Sequence, residues 1–305
     1  MGTFKAFESL RTLKRLIRIY SPEIYTSVST KHSITHPQVI GVKHFHTSPY
    51  SSKAYTLSQL ESRSVVQLSG NDTLSFLQGL VTNDVNLLSV KCPSTQYCMI
   101  LNVQVDIADV SDRYKIWCQY NSSISTNSLH QPLTFHDPRV PLHGCRFILK
   151  ENSKDLEDKG NVNVASEEEY TAWRYRLGLP EGVLDLPPGN CLPLESNLAF
   201  MNGVNFQKGC YVGQELTART FHTGVIRKRI VPVQLEFPAE IDCEAKITTK
   251  EKGRNAGKFR NAVGIYGLSL LRLAHIKDDL VVTAKNGQTI SLKPSIPDWW
   301  PQGVI

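Results

Sequence analysis

The sequence lacks the cysteine pairs and glycine-rich loops that mark several common kinds of site. Its seven cysteines are scattered, their number is odd, and no C-x-x-C pair occurs. This argues against a disulfide framework and against a self-contained zinc or iron–sulfur site, and it suits a reducing compartment. Neither G-x-x-x-x-G-K nor G-x-G-x-x-G is present, so nucleotide hydrolysis by the usual phosphate loop is unsupported.

Two further absences limit the kinds of partner. No apolar run is long enough to span a membrane. The formal net charge of +6 is concentrated in the first 50 residues, which hold seven Lys or Arg and two acids. The other 255 residues carry 27 basic against 26 acidic side chains, so the body of the chain has no basic excess that would indicate nucleic acid.

The N-terminal segment has the composition of a targeting sequence. Arg11, Lys14, Arg15 and Arg18 alternate with leucine and isoleucine, Ser and Thr are frequent, and acids are nearly absent. We predict a mitochondrial transit peptide over residues 1–52 and therefore a matrix location. A disordered basic tail or an ordinary first helix are the alternatives.

Periodicity predicts four elements in the first part of the folded region. Apolar residues favour a short strand at 65–68 and a helix from Leu74 to Leu80, and residues 95–104 favour another strand. A second helix is expected to begin after Ser166, with Glu169 three positions on, and to end at Gly178.

The sequence after Gly224 has a different residue pattern. Short β-like runs alternate with Gly, Asn, Asp and Lys, which predicts a small barrel or a sandwich. We place a domain boundary near Arg229, so that residues 53–229 form an α+β region and residues 230–305 form a β-domain with a tail.

The run KGCYVGQE carries the strongest chemical signal. Lys208 could lower the pKa of the Cys210 thiol and so assist catalysis by that thiol, and the flanking glycines permit a tight loop. Gln214 and Glu215 supply an amide and a carboxylate, and Arg219 supplies a cation for an anionic ligand. A small buried thiol beside a glycine turn is the alternative, but the concentration of polar groups favours a site. No metal site is predicted.

Several motifs together resemble one family. LPLESNLAFMNGVNFQKGCYVGQELTART, at residues 192–220, closely resembles the signature of the GcvT-like, YgfZ-type folate-binding proteins, and in particular their mitochondrial iron–sulfur assembly branch. GNDTLSFLQGLVTNDV, RYRLGLPEGVLDLPPG, GKFR and SIPDWWP resemble further motifs of that branch. The aminomethyltransferases of the glycine cleavage system lack the cysteine.

The resemblance implies an α+β, aminomethyltransferase-like folate-binding fold with a C-terminal β-barrel. It implies that tetrahydrofolate is bound and that Glu195 accepts hydrogen bonds from the pterin, although Glu195 could also be an ordinary acid or a cap. Gln214, Glu215 and Arg219 would complete the folate site.

The same resemblance implies a role in maturing mitochondrial [4Fe–4S] proteins. One thiol cannot hold a cluster, so Cys210 would share a transient cluster with a partner. The partners would be A-type iron–sulfur scaffold proteins and [4Fe–4S] client proteins. A folate-dependent one-carbon transferase and an interaction protein with a vestigial pocket are the alternatives.

One departure from the family pattern follows Gln104. The strand LNVQ runs directly into VDIADVS, where relatives continue with GR and several tens of further residues. A skipped exon, a gene-model error or a real shortening would each explain this departure. We expect a truncated first lobe with an exposed sheet edge and exposed apolar surface.

Overall fold

The computed structural model describes most of the chain after the predicted transit peptide. The described residues are 55–88, 105–120, 134–140, 144–153 and 162–304. The predicted transit peptide and the predicted strand at 95–104 lie outside the described residues.

The first part of the chain contains a five-stranded sheet. Its strands are β1 (Tyr55–Gln59), β4 (Tyr114–Tyr120), β5 (Thr134–His136), β6 (Cys145–Lys150) and β7 (Val162–Ala165). Their order is β5-β6-β4-β1-β7, with β1 and β7 parallel and the other pairs antiparallel. Cys145, Phe147 and Leu149 alternate on the buried face of β6, as a half-buried strand requires.

The first part of the chain also contains a separate two-stranded sheet and a helix. It pairs β2 (Val66–Ser69) with β3 (Asp106–Asp109), and helix α1 (Thr73–Leu80) follows β2 as predicted. No residue of α1 is buried, although the helix is apolar along one side. A 3-10 helix, Val85–Leu88, continues the chain.

Helix α2 (Glu167–Leu177) has the ends that the sequence predicts. The Ser166 hydroxyl accepts a hydrogen bond from the Glu169 amide at 3.1 Å, and Gly178 ends the helix with φ of 75°. Tyr170 and Tyr175 are buried on its inner face. The short helix α3 (Gly182–Asp185) follows.

A buried ion network joins α2 and α3 to the sheet. The Glu181 carboxylate accepts hydrogen bonds from Arg63 at 2.9 Å, from Tyr170 Oη at 2.9 Å and from Arg146, and it pairs with Arg139 at 2.5 Å. Burial alone would raise the pKa of Glu181, but the surrounding guanidinium groups outweigh burial and hold it well below its usual range. The network therefore keeps an ionised carboxylate inside the protein.

A closed six-stranded barrel forms the C-terminal part. Its strands are β8 (Lys228–Leu235), β9 (Lys246–Thr249), β10 (Asn255–Val263), β11 (Tyr266–Arg272), β12 (Leu280–Thr283) and β13 (Thr289–Pro294). They close in the order β10-β11-β8-β13-β12-β9, with Leu268 of β11 opposite Pro232 of β8. The C-terminal part is therefore a barrel and not a sandwich. Closure of the sheet leaves no unpaired strand edge.

The tail of the barrel returns to the first part of the chain. Trp300 packs into the barrel core, and Trp299 Nε1 donates a hydrogen bond to the Leu177 carbonyl at 2.8 Å. This contact ties the end of the chain to the C-terminal end of α2. In the described part of the chain, no helix is both long enough and apolar enough to cross a membrane.

Candidate functional site

Cys210 lies in an exposed loop that leads into helix α4 (Gln214–Thr223). The thiol residue and its neighbour Gly209 are exposed, and Val212 is 73% exposed. Gly213, with φ of 87°, precedes the first helical residue and allows the sharp entry into the helix. The loop therefore presents the thiol at the surface, close in sequence to the start of a helix.

The Lys208 ammonium is hydrogen-bonded to a distant segment of the chain. Its ammonium donates hydrogen bonds to the carbonyls of Gln78 at 2.8 Å, Val81 at 2.7 Å and Asn83 at 2.7 Å. Three donors are the full capacity of an ammonium group, so none remains for Cys210. Burial lowers the pKa of Lys208. In this structure Lys208 holds carbonyls at a helix end, and its catalytic role stays a prediction.

A cavity of about 340 Å³ lies beside α4 and the start of the barrel. It is lined by apolar side chains together with threonines and charged residues: Leu192, Pro193, Leu194, Glu195, Leu216, Thr217, Thr220, Val225, Ile226, Arg227 and Lys228. Its volume is at the lower end of the range for small-molecule sites, about 300–1,000 Å³.

Glu195 is the acidic residue among those that line this cavity. Its carboxylate is 3.1 Å from Lys228 Nζ, and its side chain is 17% exposed. Its backbone carbonyl accepts a hydrogen bond from the Ile230 amide at 2.8 Å, which ties the segment to the first barrel strand. A carboxylate has about four lone-pair positions, so the contact with Lys228 leaves acceptor capacity for a ligand.

Two of the other predicted folate ligands, Glu215 and Arg219, lie on a helix face that does not line the cavity. Leu216, Thr217 and Thr220 line it, whereas Glu215 and Arg219 are 90% and 64% exposed and pair with each other at 3.5 Å. Glu215 and Arg219 are four positions apart and therefore share one helix face. That face is not the one that lines the cavity. The structure leaves both charged side chains outside the cavity, and their contact with folate stays a prediction.

Gln214 also lies outside the set of cavity-lining residues. It is half-buried, and its backbone amide donates to the Tyr211 carbonyl at 3.1 Å, which makes it part of the turn into α4. Of the four predicted folate ligands, the structure brings Glu195 to the cavity.

Arg229 holds the backbone of a cavity-lining residue in place, a role that the sequence did not indicate. Its guanidinium donates to the Leu194 carbonyl at 2.9 Å and lies 4.0 Å from the centre of the Phe200 ring. Burial lowers the pKa of Arg229 to about 10. A basic residue opening an apolar strand, as in KRIVPVQL, is the signal that could have marked it as an inward-facing cation.

The described residues contain no group of three or more His, Cys, Asp or Glu side chains that could hold a metal ion. The groups of chemical interest among them are the exposed thiol of Cys210 and the cavity carboxylate of Glu195.

The chain is similar over most of its length to named mitochondrial proteins. It is 34% identical over 318 aligned positions to the iron–sulfur cluster assembly factor IBA57 of Mus musculus, which covers 84% of this chain and 88% of the mouse protein. The corresponding Homo sapiens protein is 35% identical, with 83% and 87% covered. The chain belongs to the IBA57 family of mitochondrial iron–sulfur cluster assembly factors.

The similarities to family models and solved structures agree with this membership. A family model described as the C-terminal β-barrel domain of CAF17 matches residues 227–302. The crystal structure of the glycine cleavage system aminomethyltransferase T from Bartonella henselae has a TM-score of 0.57 and 12% identity, over 82% of this chain and 87% of that one. The predicted aminomethyltransferase-like fold is thereby confirmed.

The alignment with the mouse IBA57 protein is longer than the part of this chain that it covers. It is 318 positions long, whereas 84% of a 305-residue chain is about 256 residues. About 60 positions of the mouse protein therefore have no counterpart within the aligned part of this chain. The sequence predicts the place of the missing segment after Gln104.

Proposed function

We propose that this chain matures mitochondrial [4Fe–4S] proteins in the matrix, with Cys210 as the acting thiol. Membership of the IBA57 family supports the iron–sulfur role. The observation that carries the role of Cys210 is its exposure in a loop that is hydrogen-bonded on both sides of the thiol. The iron–sulfur cluster is the cargo, and a single thiolate can complete a site only together with ligands from a partner.

The partners are proteins that carry thiolate-bound clusters. We propose A-type iron–sulfur scaffold proteins as the donors or co-ligands and [4Fe–4S] enzymes as the clients. An exposed thiol suits a transient shared site, because a buried one could not reach a second protein.

Complementation of depleted cells tests the role of Cys210. The wild-type protein, in the longer form with the family segment present after Gln104, is expected to restore the [4Fe–4S] enzymes aconitase and lipoate synthase, whereas Cys210→Ser in the same background is expected to fail although it folds. Cys243→Ser is the matched control, because Cys243 is also exposed but lies in the barrel part. [2Fe–2S] proteins should remain active throughout. Full rescue by Cys210→Ser would show that the thiol is not the acting group.

We also propose that the cavity beside α4 holds tetrahydrofolate or a derivative. The residues fit such a ligand: Glu195 can accept two hydrogen bonds from an aminopyrimidine edge, apolar side chains can enclose a ring, and Arg227 and Lys228 can face an anionic tail. Bound folate would supply one-carbon chemistry, while the chain's own residues bind and orient it.

A folate-dependent one-carbon transferase is the second candidate, favoured by the aminomethyltransferase-like fold. Fold alone does not carry an activity. Purified chain with methylene- or methyl-tetrahydrofolate and candidate acceptors separates the two functions, because a transferase must turn over while an assembly factor is expected to bind without turnover.

A further inference from the structure

The loop that carries Cys210 is attached to a distant part of the sequence. The Asn205 amide donates to the Thr82 carbonyl at 3.0 Å, and the Val212 amide donates to the Gly79 carbonyl at 3.0 Å. One bond lies before Cys210 in the chain and the other lies after it. The end of helix α1 therefore holds the loop on both sides of the thiol.

Side chains extend this attachment. The Thr82 hydroxyl donates to the Gly203 carbonyl at 2.6 Å, and the Asn83 side-chain amide donates to the Asn202 carbonyl at 3.0 Å. All of these contacts join residues that are more than one hundred positions apart in sequence, so they are tertiary constraints on the loop.

Lys208 lies at the centre of these contacts. Its three hydrogen bonds reach carbonyls in and just after the last turn of α1, where a helix leaves unsatisfied acceptors and the negative end of its dipole. The residue is 7% exposed, and its ammonium lies 5.1 Å from the centre of the Tyr211 ring, on the other side of Cys210 in sequence. One cation thus satisfies the helix end and contacts the loop beyond the thiol.

We propose that Lys208 is a positioning residue, which fixes the Cys210 loop to the C-terminal end of helix α1. It acts through the backbone of the loop, since its hydrogen-bonding capacity is fully used by the helix. The inference rests on the proposed function in that Cys210 is the acting thiol. The geometry of the loop, however, can be measured without any assay of function.

Amide hydrogen exchange on the purified full chain tests the attachment. In Lys208→Met the amides of Asn205 and Val212 are expected to exchange about tenfold faster or more, because the charged hydrogen bonds that hold the helix end and loop together are lost. Lys208→Arg keeps a cation and is expected to restore part of the protection. Lys258→Met removes a half-exposed barrel lysine and serves as the control that leaves both amides unchanged.

Measurements of thiol reactivity and of complementation distinguish a positioning role of Lys208 from a direct effect of Lys208 on the thiol. Alkylation of Cys210, measured against exposed Cys243 in the same molecule, is expected to stay near the wild-type ratio in Lys208→Met, while rescue of [4Fe–4S] enzymes falls. In Cys210→Ser, rescue is expected to fall while the amides of Asn205 and Val212 stay protected. If rescue survives in Cys210→Ser, the acting-thiol proposal fails while the attachment still stands.

Two results would overturn the inference. One is wild-type protection of Asn205 and Val212 in Lys208→Met, and the other is full rescue by that variant. If Lys208→Met does not fold, Thr82→Val and Asn83→Ala weaken the same attachment with smaller changes. Unchanged exchange of both amides in these two variants together would equally contradict it.

Discussion

The charged residues beside the cavity should differ sharply in their effect on ligand binding. Glu195→Gln removes a charge-assisted acceptor and little volume, so we expect tetrahydrofolate to bind about tenfold more weakly with the melting temperature nearly unchanged. The ion pair with Lys228 contributes little to stability, since the lysine side chain is 41% exposed. Calorimetric titration measures the change.

Glu215→Gln is the matched control for that titration. It makes the same chemical change on the exposed face of α4, and it should leave the affinity for tetrahydrofolate unaltered. Equal losses in the two variants, or no loss in either, would place the ligand somewhere other than the cavity.

The sequence indicated the chemistry of single residues better than their surroundings. Cys210 is exposed and Glu195 lines a cavity, and the roles expected of them stay predictions. The surroundings of Lys208 could not be predicted, because adjacency to a thiol in sequence says nothing about which distant carbonyls an ammonium will reach. Those acceptors belong to a helix that lies more than one hundred residues away in sequence, and only the fold brings them together.

At the scale of elements, the buried ion network around Glu181 predicts how stability changes with pH. The folded pKa of Glu181 lies well below the ordinary value of 4.5, so its contribution to the free energy of unfolding is fully present above about 4.5. It is lost as the pH falls through the folded value. Melting temperatures measured from neutral pH downward should therefore decrease in acid.

Glu181→Gln tests whether this carboxylate is responsible. Leaving several buried guanidinium groups without their shared partner should lower the free energy of unfolding by about 3–5 kcal/mol. The variant should also lose part of the acid-dependent decrease in melting temperature. Glu168→Gln, on the exposed side of α2, provides the control. A slope with pH that matches the wild type would show that other carboxylates dominate.

The elements that could be predicted are those with local signals. Helix α2 has a capping serine and a terminating glycine, and α1 has helical apolar spacing, so both were expected. Strands β1 and β7 were not, because Tyr55–Gln59 and Val162–Ala165 are short and partly polar, and their pairing is decided by partners far along the chain. Barrel closure likewise depends on strand registers that local spacing does not encode.

At the scale of the whole molecule, the missing segment should limit stability. Helix α1 has no buried residue, and β2 and β3 form a sheet of two strands, so this region lacks covering structure among the described residues. Net stabilities are only about 5–15 kcal/mol. We therefore expect the 305-residue chain to be poorly stable or inactive, and a longer product with residues inserted after Gln104 to be the working form.

Sequencing of the full-length transcript checks this expectation most directly. A reading frame that restores GR after Gln104 would support it. If the short form alone exists, melts cooperatively and binds tetrahydrofolate, the expectation is wrong.

The four tryptophans divide evenly between the two parts of the molecule. Trp117 packs beside Leu57 and Phe147 in the sheet, and the ring centre of Trp173 lies 4.7 Å from that of Tyr120. Trp299 and Trp300 belong to the returning tail. Each part thus carries its own intrinsic fluorophores. Replacing either pair with phenylalanine would give an emission signal from one part alone. If the sheet region melts before the barrel, the two emission curves will separate, and a single shared midpoint will mean that the tail keeps both parts in one cooperative unit.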